Sequence, residues 1–337
     1  MNTLRIGLIG CGDIGRYVAF FSRLIRRWTL SAVCDADEQR AEAFRARYRA
    51  QTSYTNYLQM FEQADLDAVY IAVPHHLHWP MTSAALERGL PVLLEKPLAD
   101  SLADARQIVE AAETSGIGVA VNYQYRYDRG CYALARAAQR GDLGELRYIR
   151  CHVPWLRGPA YFEQSAWHRH LDQSGGGTLL TQGSHLLDVA LWAAQSPPIE
   201  AIGMTARRVF ETIEVEDLAQ ASIRLENGVL IQISSSMVSV PEQAASIEVY
   251  GERGTAIYSS QPRPHVRFVG LSARREAPPT WGLHALQRSL IGFRDWILDG
   301  RPYLTPAASA LPVMATVDAV YRSARTGLTE PLYQEKH

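Results

Sequence analysis

At 337 residues, with 47% apolar and 20% charged side chains, the chain has the length of about two ordinary soluble domains, and collagen-like, disordered and disulfide-scaffold classes drop out. Its 34 Lys+Arg against 35 Asp+Glu leave a net charge of -1, so no overall basic field points to nucleic acid or an acidic membrane. The cations are lopsided: 32 are arginine and two are lysine, so with Lys336 next to the end, Lys96 is the one lysine in the body of the chain. No apolar run reaches the roughly 18 residues of a membrane span. MNTLRIGLIG enters a strand directly, without a signal-peptide pattern, and a cytoplasmic protein is expected.

Along the first third, short apolar strands alternate with amphipathic helices, the pattern of a parallel sheet covered on both faces. Strands are expected at Leu4–Ile9, Leu30–Cys34, Ala68–Val73, Val92–Leu94 and Gly118–Val121, with a weaker one near Thr52. Helices fit between them at Ile14–Arg27, Glu38–Arg47, Trp79–Arg88 and Leu102–Thr114. The result is a doubly wound, Rossmann-like unit.

Gly10-Cys11-Gly12-Asp13-Ile14-Gly15 is G-x-G-x-x-G between a strand and a helix, the context that gives the pattern meaning. Gly10 permits the tight turn, Gly12 a close approach of pyrophosphate, and Gly15 helix–sheet packing, while amides near Asp13 and Ile14 receive phosphate charge. Cys11 reads as a small residue in that turn. None of Cys11, Cys34, Cys131 and Cys151 forms a C-x-x-C pair, so neither a disulfide framework nor a zinc site is expected. Asp35, 20 residues after Gly15, is placed to bond the ribose hydroxyls of NAD and to repel the 2′-phosphate of NADP. Arg40, one helical turn on, is the only nearby counter-signal, and Asp37 is the expected cap of that helix.

Val73-Pro74-His75-His76-Leu77-His78 follows a strand at its carboxyl end, the edge where open α/β sheets bind ligands. Three histidines on one loop cannot all converge on a metal without other ligands. Pro74, His75 and His78 are therefore read as a cofactor-facing loop with a helix-capping histidine, and no metal is expected. Glu95-Lys96-Pro97 ends the next strand, which directs Lys96 toward the nicotinamide edge, with Pro97 a candidate cis proline. A chain that uses arginine almost everywhere keeps lysine here, and a compact ammonium with a tunable pKa is what arginine cannot imitate.

From Glu145 the period becomes that of strands: Leu146–His152, Ala219–Leu225 and Val229–Ser235 alternate, the last two joined by an Asn227-Gly228 turn. Ser246–Tyr250 and Thr255–Tyr258 flank a second hairpin, residues 261–280 read as an exposed loop, and helices are expected near 283–299 and 306–325. Gly175-Gly176-Gly177 leads into a helix on which Thr181 and His185, four apart, share a face. The three glycines would let backbone approach a ligand.

GCGDIG, VPHHLH, EKP, VNYQYRY at 121–127 behind Asn122, GDLGELRYI, the triple glycine and the closing YRSARTG at 321–327 together resemble the glucose–fructose oxidoreductase, inositol dehydrogenase and rhizopine catabolism (Gfo/Idh/MocA) family. The resemblance implies an α/β Rossmann domain over 1–122, an α+β domain with a large, mostly antiparallel sheet over 123–305, and a last helix, 306–330, packing back on the Rossmann domain. It implies an NAD(P)-dependent oxidoreductase of sugars or cyclitols, with NAD favoured over NADP, as a homodimer or homotetramer through the C-terminal sheet. His185 matches the family's catalytic histidine. Where the family commonly carries Asp four residues earlier, this chain has Thr181, which offers hydrogen bonds but no charge to an imidazolium.

In this reading Lys96 and His185 handle the substrate oxygen and its proton, with Thr181 beside them. Tyr123 and Arg126 line the site, Trp155, Arg157, Trp167 and His168 stack on or bond a sugar, and Gln182 takes part of the binding role. Glu95 joins Lys96 at the cofactor. Two other readings stay open: a dinucleotide-binding sensor that has lost the chemistry, and redox-assisted sugar elimination or glycoside cleavage with bound NAD.

Overall fold

Strands apolar at nearly every position need cover on both faces, and the computed structural model, which describes residues 2–332, supplies it for β1 (Leu4–Ile9), β4 (Ala68–Ile71) and β5 (Val92–Leu94), all buried along almost their whole length. With β2 (Trp28–Cys34), β3 (Thr52–Tyr54) and β6 (Val119–Val121) they form one sheet, ordered β3-β2-β1-β4-β5-β6. Every neighbouring pair is parallel. The crossovers are α1 (Asp13–Ser22), α2 (Glu38–Tyr48), α3 (Tyr57–Gln63), α4 (His78–Glu87) and α5 (Leu102–Ser115). Parallel order brings the ends of β1, β4, β5 and β6 to one edge, with the order reversing between β1 and β4. Asp37 caps α2, accepting from Arg40 N at 3.0 Å. α1 stops five residues earlier than its apolar pattern suggests, because the chain turns after Ser22 and reaches Arg27 with φ 58°.

The second sheet has the order β13-β12-β11-β7-β10-β9-β8-β14. Its strands are β7 (Leu146–Pro154), β8 (Pro198–Ala206), β9 (Leu218–Leu225), β10 (Leu230–Ser236), β11 (Ser246–Gly251), β12 (Thr255–Ser259), β13 (His265–Val269) and β14 (Glu330–Pro331). All pairs are antiparallel except β7 with β10. Both expected hairpins form. β13 runs through the stretch expected as a loop: its partner β12 satisfies its backbone although its own burial alternates only weakly. Residues on the outer face of this sheet, including Tyr148, Ile202, Met204 and Leu230, are exposed.

The remaining helices are α6 (Arg129–Gln139), α7 (Pro159–Gln164), α8 (Leu171–Ser174), α9 (Ser184–Ala194), α10 (Ala285–Asp299) and α11 (Ala307–Thr326). The chain folds as two compact units, one of Met1–Ala99, Ala103–Gln124 and Pro279–Ala310, the other of Asp100–Leu102, Tyr125–Pro278 and Leu311–His337. The stretch that rejoins the first unit is thus Pro279–Ala310, one helix earlier than the expected 306–330, and α11 from Leu311 belongs with the second sheet. The cause is the free edge of β6: Val121 N donates to Thr305 O at 3.0 Å, and Ala120 bridges Pro306.

Inside the second unit, Arg126 makes a two-pronged ion pair with Asp188 of α9, Nε to Oδ2 at 2.9 Å and Nη2 to Oδ1 at 2.6 Å, and its guanidinium lies over Trp192. Both residues are buried. Removing either partner leaves an uncompensated buried charge, a change of about 3–5 kcal/mol.

Candidate active site

The glycine loop shows which of its glycines the protein needs for itself. A Cβ on Gly10, at φ +97°, would sit 2.0 Å from Ala72 O, and one on Gly15 would sit 2.2 Å from Gly10 O. A Cβ on Gly12 meets nothing within 4 Å. Packing therefore demands glycine at 10 and 15, while Gly12 opens onto space at the start of α1, where no side chain caps the helix. Uncapped first-turn amides under an open glycine fit a pyrophosphate.

Asp35 is tied to this loop: Oδ2 accepts from Cys11 N at 2.9 Å, Oδ1 from Asp37 N at 3.0 Å, and Arg40 Nη1 lies 3.5 Å away. Beside it opens a cavity of about 280 Å³ lined by Cys11, Arg16, Arg40, Phe44, Arg47 and Tyr48. Four of these, Arg40, Phe44, Arg47 and Tyr48, recur at helical spacing on α2 and so share a face. That spacing was the legible signal for Phe44 and Tyr48, which the sequence reading missed. Three guanidiniums, Phe44 and Tyr48 line the cavity, and Asp35 stands beside it as the acidic group that could meet a ribose. Burial, with Asp35 nearby, pushes the Cys11 thiol up to about 12, so Cys11 stays protonated and fills the turn.

At the end of β4, the chain makes a 3-10 turn over His75–Leu77 and enters α4. His75 is buried, and Pro74 is half-buried. His78 departs from its expected place on the cofactor: it is 0% exposed, with Nδ1 3.0 Å from Pro97 O and Nε2 3.2 Å from Val73 O. It clamps the loop after β4 to the corner after β5. Burial holds its imidazole down at about 4, so it is neutral near pH 7. The Lys96–Pro97 bond is cis, as the tight corner suggested.

Glu95 also turns inward rather than to the cofactor. It is 8% exposed, and its Oε1 accepts from the Tyr70 hydroxyl and, at 2.8 Å, from Asn122 Nδ2, while Lys96 N lies 3.3 Å from Oε2. Lys96 itself is half-buried at the carboxyl edge of β5.

In the second unit, a π-helical turn over Leu179–Gly183 precedes α9, so the helix that carries His185 begins irregularly rather than as the continuous helix expected. Thr181 Oγ1 donates to Gly177 O at 2.7 Å, spending its proton on the backbone. Protein packing alone requires the triple glycine: a Cβ would lie 1.9 Å from Asp100 O at Gly175, 2.2 Å from the Tyr321 hydroxyl at Gly176 and 1.8 Å from Glu216 O at Gly177. Buried Glu216, unnoticed in the sequence, anchors the turn by accepting from Gly177 N at 2.8 Å, Leu179 N at 2.9 Å and the Tyr321 hydroxyl at 2.9 Å.

His185 meets aromatic neighbours. Its ring centroid is 5.0 Å from Tyr125 and 6.4 Å from Trp155, Arg157 lies over both Trp155 and Tyr161, Tyr161 contacts His168, and His168 stacks on Trp167 at 3.7 Å. The expected Trp155, Arg157, Trp167 and His168 thus fall in one unbroken run with His185. Tyr123 is 0% exposed, and Arg126 is buried with its guanidinium paired to Asp188. The 3-10 turn at Gln124–Tyr127 instead brings Tyr125 to His185, a residue whose neighbours in VNYQYRY gave no periodic cue. Gln182 is buried, and its Nε2 has no acceptor among the described residues.

A parallel sheet with an open glycine loop at its strand ends is the frame of a dinucleotide-binding domain. The family model for an oxidoreductase family with an NAD-binding Rossmann fold matches residues 4–123, and that for the GFO/IDH/MocA C-terminal domain matches 132–257. The chain belongs to the Gfo/Idh/MocA family of NAD-dependent oxidoreductases. It is 28% identical to a D-apiose dehydrogenase of Paraburkholderia graminis, over 96% of this chain and 88% of that one, and 27% identical to a 1,5-anhydro-D-fructose reductase of Ensifer adhaerens, over 75% of each. Its fold is similar to that of the WlbA dehydrogenase of Bordetella pertussis, solved with NADH and UDP-GlcNAcA, with a TM-score of 0.88 at 24% identity over 99% of this chain and 100% of that one. Among the described residues no helix is long and apolar enough to cross a membrane.

The glycine geometry separates binding from folding. Gly12→Ala, at the N-cap of α1, should change the unfolding free energy by no more than about 1 kcal/mol and weaken NAD about tenfold or more by calorimetry. Gly15→Ala should destabilise the protein by about 1–3 kcal/mol. Unchanged NAD affinity in Gly12→Ala would contradict the assignment of the open space to the pyrophosphate.

Proposed function

We propose that the chain is a dehydrogenase or reductase that interconverts a secondary alcohol and ketone on a sugar, sugar derivative or cyclitol, using NAD. The observation that carries this reading is Lys96, the sole lysine among the described residues, at the carboxyl end of β5 on the same sheet edge as the open Gly12 loop. NAD, when bound, supplies the nicotinamide that accepts or returns hydride.

The protein's part is oxygen, proton and orientation. Lys96 hydrogen-bonds the carbinol oxygen and stabilises negative charge as it develops there. His185 takes the hydroxyl proton, a role suited to an imidazole. Thr181 is bonded to Gly177 O, and the rings of Tyr125 and Trp155 pack around His185. The run from Trp155 to Trp167 offers ring faces to the C–H surface of a sugar, and Arg157 and Gln182 offer donors to its oxygens. The relatives' names, a D-apiose dehydrogenase and a 1,5-anhydro-D-fructose reductase, support a carbohydrate substrate.

In the same reading, copies of the chain pair through the exposed face of the second sheet, where Tyr148 and Tyr250 stack beside exposed Leu230, Ile202 and Met204. Light scattering should give a dimeric or tetrameric mass, and a monomeric mass would contradict the pairing. The reaction is tested by absorbance at the reduced-nicotinamide band with NAD and a panel of sugars, nucleotide sugars and cyclitols. At least one should produce NADH. Substrate consumed without NADH would point to elimination instead, and NAD bound with no turnover anywhere on the panel would leave a sensor.

A further inference from the structure

The cavity beside Asp35 carries more positive charge than the adenosine half of NAD calls for. Arg16 of α1 and Arg40 and Arg47 of α2 line its volume of about 280 Å³, and among the described residues no carboxylate lines it. All of these residues lie within the first unit. Adenine and an unsubstituted ribose are neutral, and the pyrophosphate has its own place at the open Gly12 loop, so three guanidiniums around one small opening need another reason.

None of the three is locked in place by burial. Arg40 forks between two carboxylates, with Nη1 3.5 Å from Asp35 Oδ1 and Nη2 3.2 Å from Asp37 Oδ2. Arg16 pairs with Asp13 at 3.2 Å, and Arg47 leans over the Tyr48 ring, 5.8 Å from its centroid. All three side chains are exposed, and exposed ion pairs of this kind are weak enough to yield to a better anion.

Asp35 stands beside them with the opposite sign. Its side chain is 9% exposed, and each oxygen already accepts one amide, Oδ2 from Cys11 and Oδ1 from Asp37. A carboxylate oxygen keeps a second lone pair, which a ribose hydroxyl can donate to. A phosphate ester in the place of that hydroxyl brings about two negative charges near pH 7 and almost no proton to give, so the same carboxylate repels it.

We propose that Arg16, Arg40 and Arg47 form a subsite for the 2′-phosphate of NADP, and that Asp35 alone keeps it closed, so that the preference for NAD is one side chain deep. Neutralising Asp35 removes the repulsion and frees Arg40 Nη1, and a guanidinium fork matches phosphate oxygens two at a time. Arg40 and Arg47, two helical turns apart, present this charge from one face of α2. The proposal rests on a dinucleotide bound at the Gly12 loop and not on any role of Lys96 or His185.

The test is binding, measured by calorimetry with NAD and NADP as probes, directly or by displacement, and it needs no substrate. Wild type should bind NAD more tightly than NADP. In Asp35→Ser the affinity for NADP relative to NAD should rise about tenfold or more, and Arg40→Ala in that background should take most of the gain away. Asp35→Asn, which keeps an oxygen for one of the two amides, serves if Asp35→Ser does not fold. Arg47→Ala in the otherwise native chain needs neither: it should weaken NADP more than NAD, and the difference should shrink as salt rises. An unchanged ratio in the Asp35 variants, a gain that survives Arg40→Ala, or an equal effect of Arg47→Ala on the two cofactors would overturn the proposal. Wild type that binds neither dinucleotide would overturn the cofactor reading as well, whereas NAD bound with the ratio unchanged overturns this proposal alone.

Discussion

A carboxylate taken out of water must be met by donors or neutralised, and much of the first unit is arranged around that demand at Glu95. The donors come from β4, from the end of β6 and, through Ser289, from a helix more than 160 residues further along the chain. Satisfying Glu95 therefore places the carboxyl end of β5, and with it Lys96, relative to the rest of the sheet edge. His78 completes the arrangement from the other side by bridging Val73 O and Pro97 O. Two motifs that look like ligand contacts in the sequence, the histidine loop and Glu95, are in large part the frame that holds one lysine.

The second unit solves a different problem. A triple glycine followed by a π-helical turn lets the segment before α9 pass within touching distance of Asp100, Tyr321 and Glu216, and buried Glu216 pays its desolvation with two amides and a phenol. That packing delivers His185 to a wall of rings. Thr181, four residues before His185, has its hydroxyl bonded to Gly177 O. The ring neighbours of the histidine are Tyr125 and Trp155.

What could be read from the residues was whatever periodicity and turn chemistry control locally. The parallel sheet, the glycine loop, Asp35, the cap at Asp37 and the cis proline follow from strand-end and helix-start patterns and are where those patterns put them. Where the structure departs from the motif, a distant partner decides the face that a residue presents. Arg126 turns to Asp188, Glu95 to Tyr70 and Asn122, and the glycines of the second unit to their own protein. Tyr125 gained its place from a 3-10 turn that no apolar spacing announces. The return of Pro279–Ala310 to β6 depends on an unpaired strand edge, which is visible only once the sheet exists.

The central claim is that Lys96 acts as a compact, titratable ammonium at the substrate oxygen, in a chain that otherwise uses arginine for its cations. Lys96→Arg keeps the positive charge and removes the rest of that description. Single-turnover reduction of bound NAD by a substrate from the panel, compared between wild type and Lys96→Arg, is the most direct measurement. The account predicts a fall of about 10²-fold or more with NAD affinity nearly unchanged. Reduction at the wild-type rate in Lys96→Arg would contradict it.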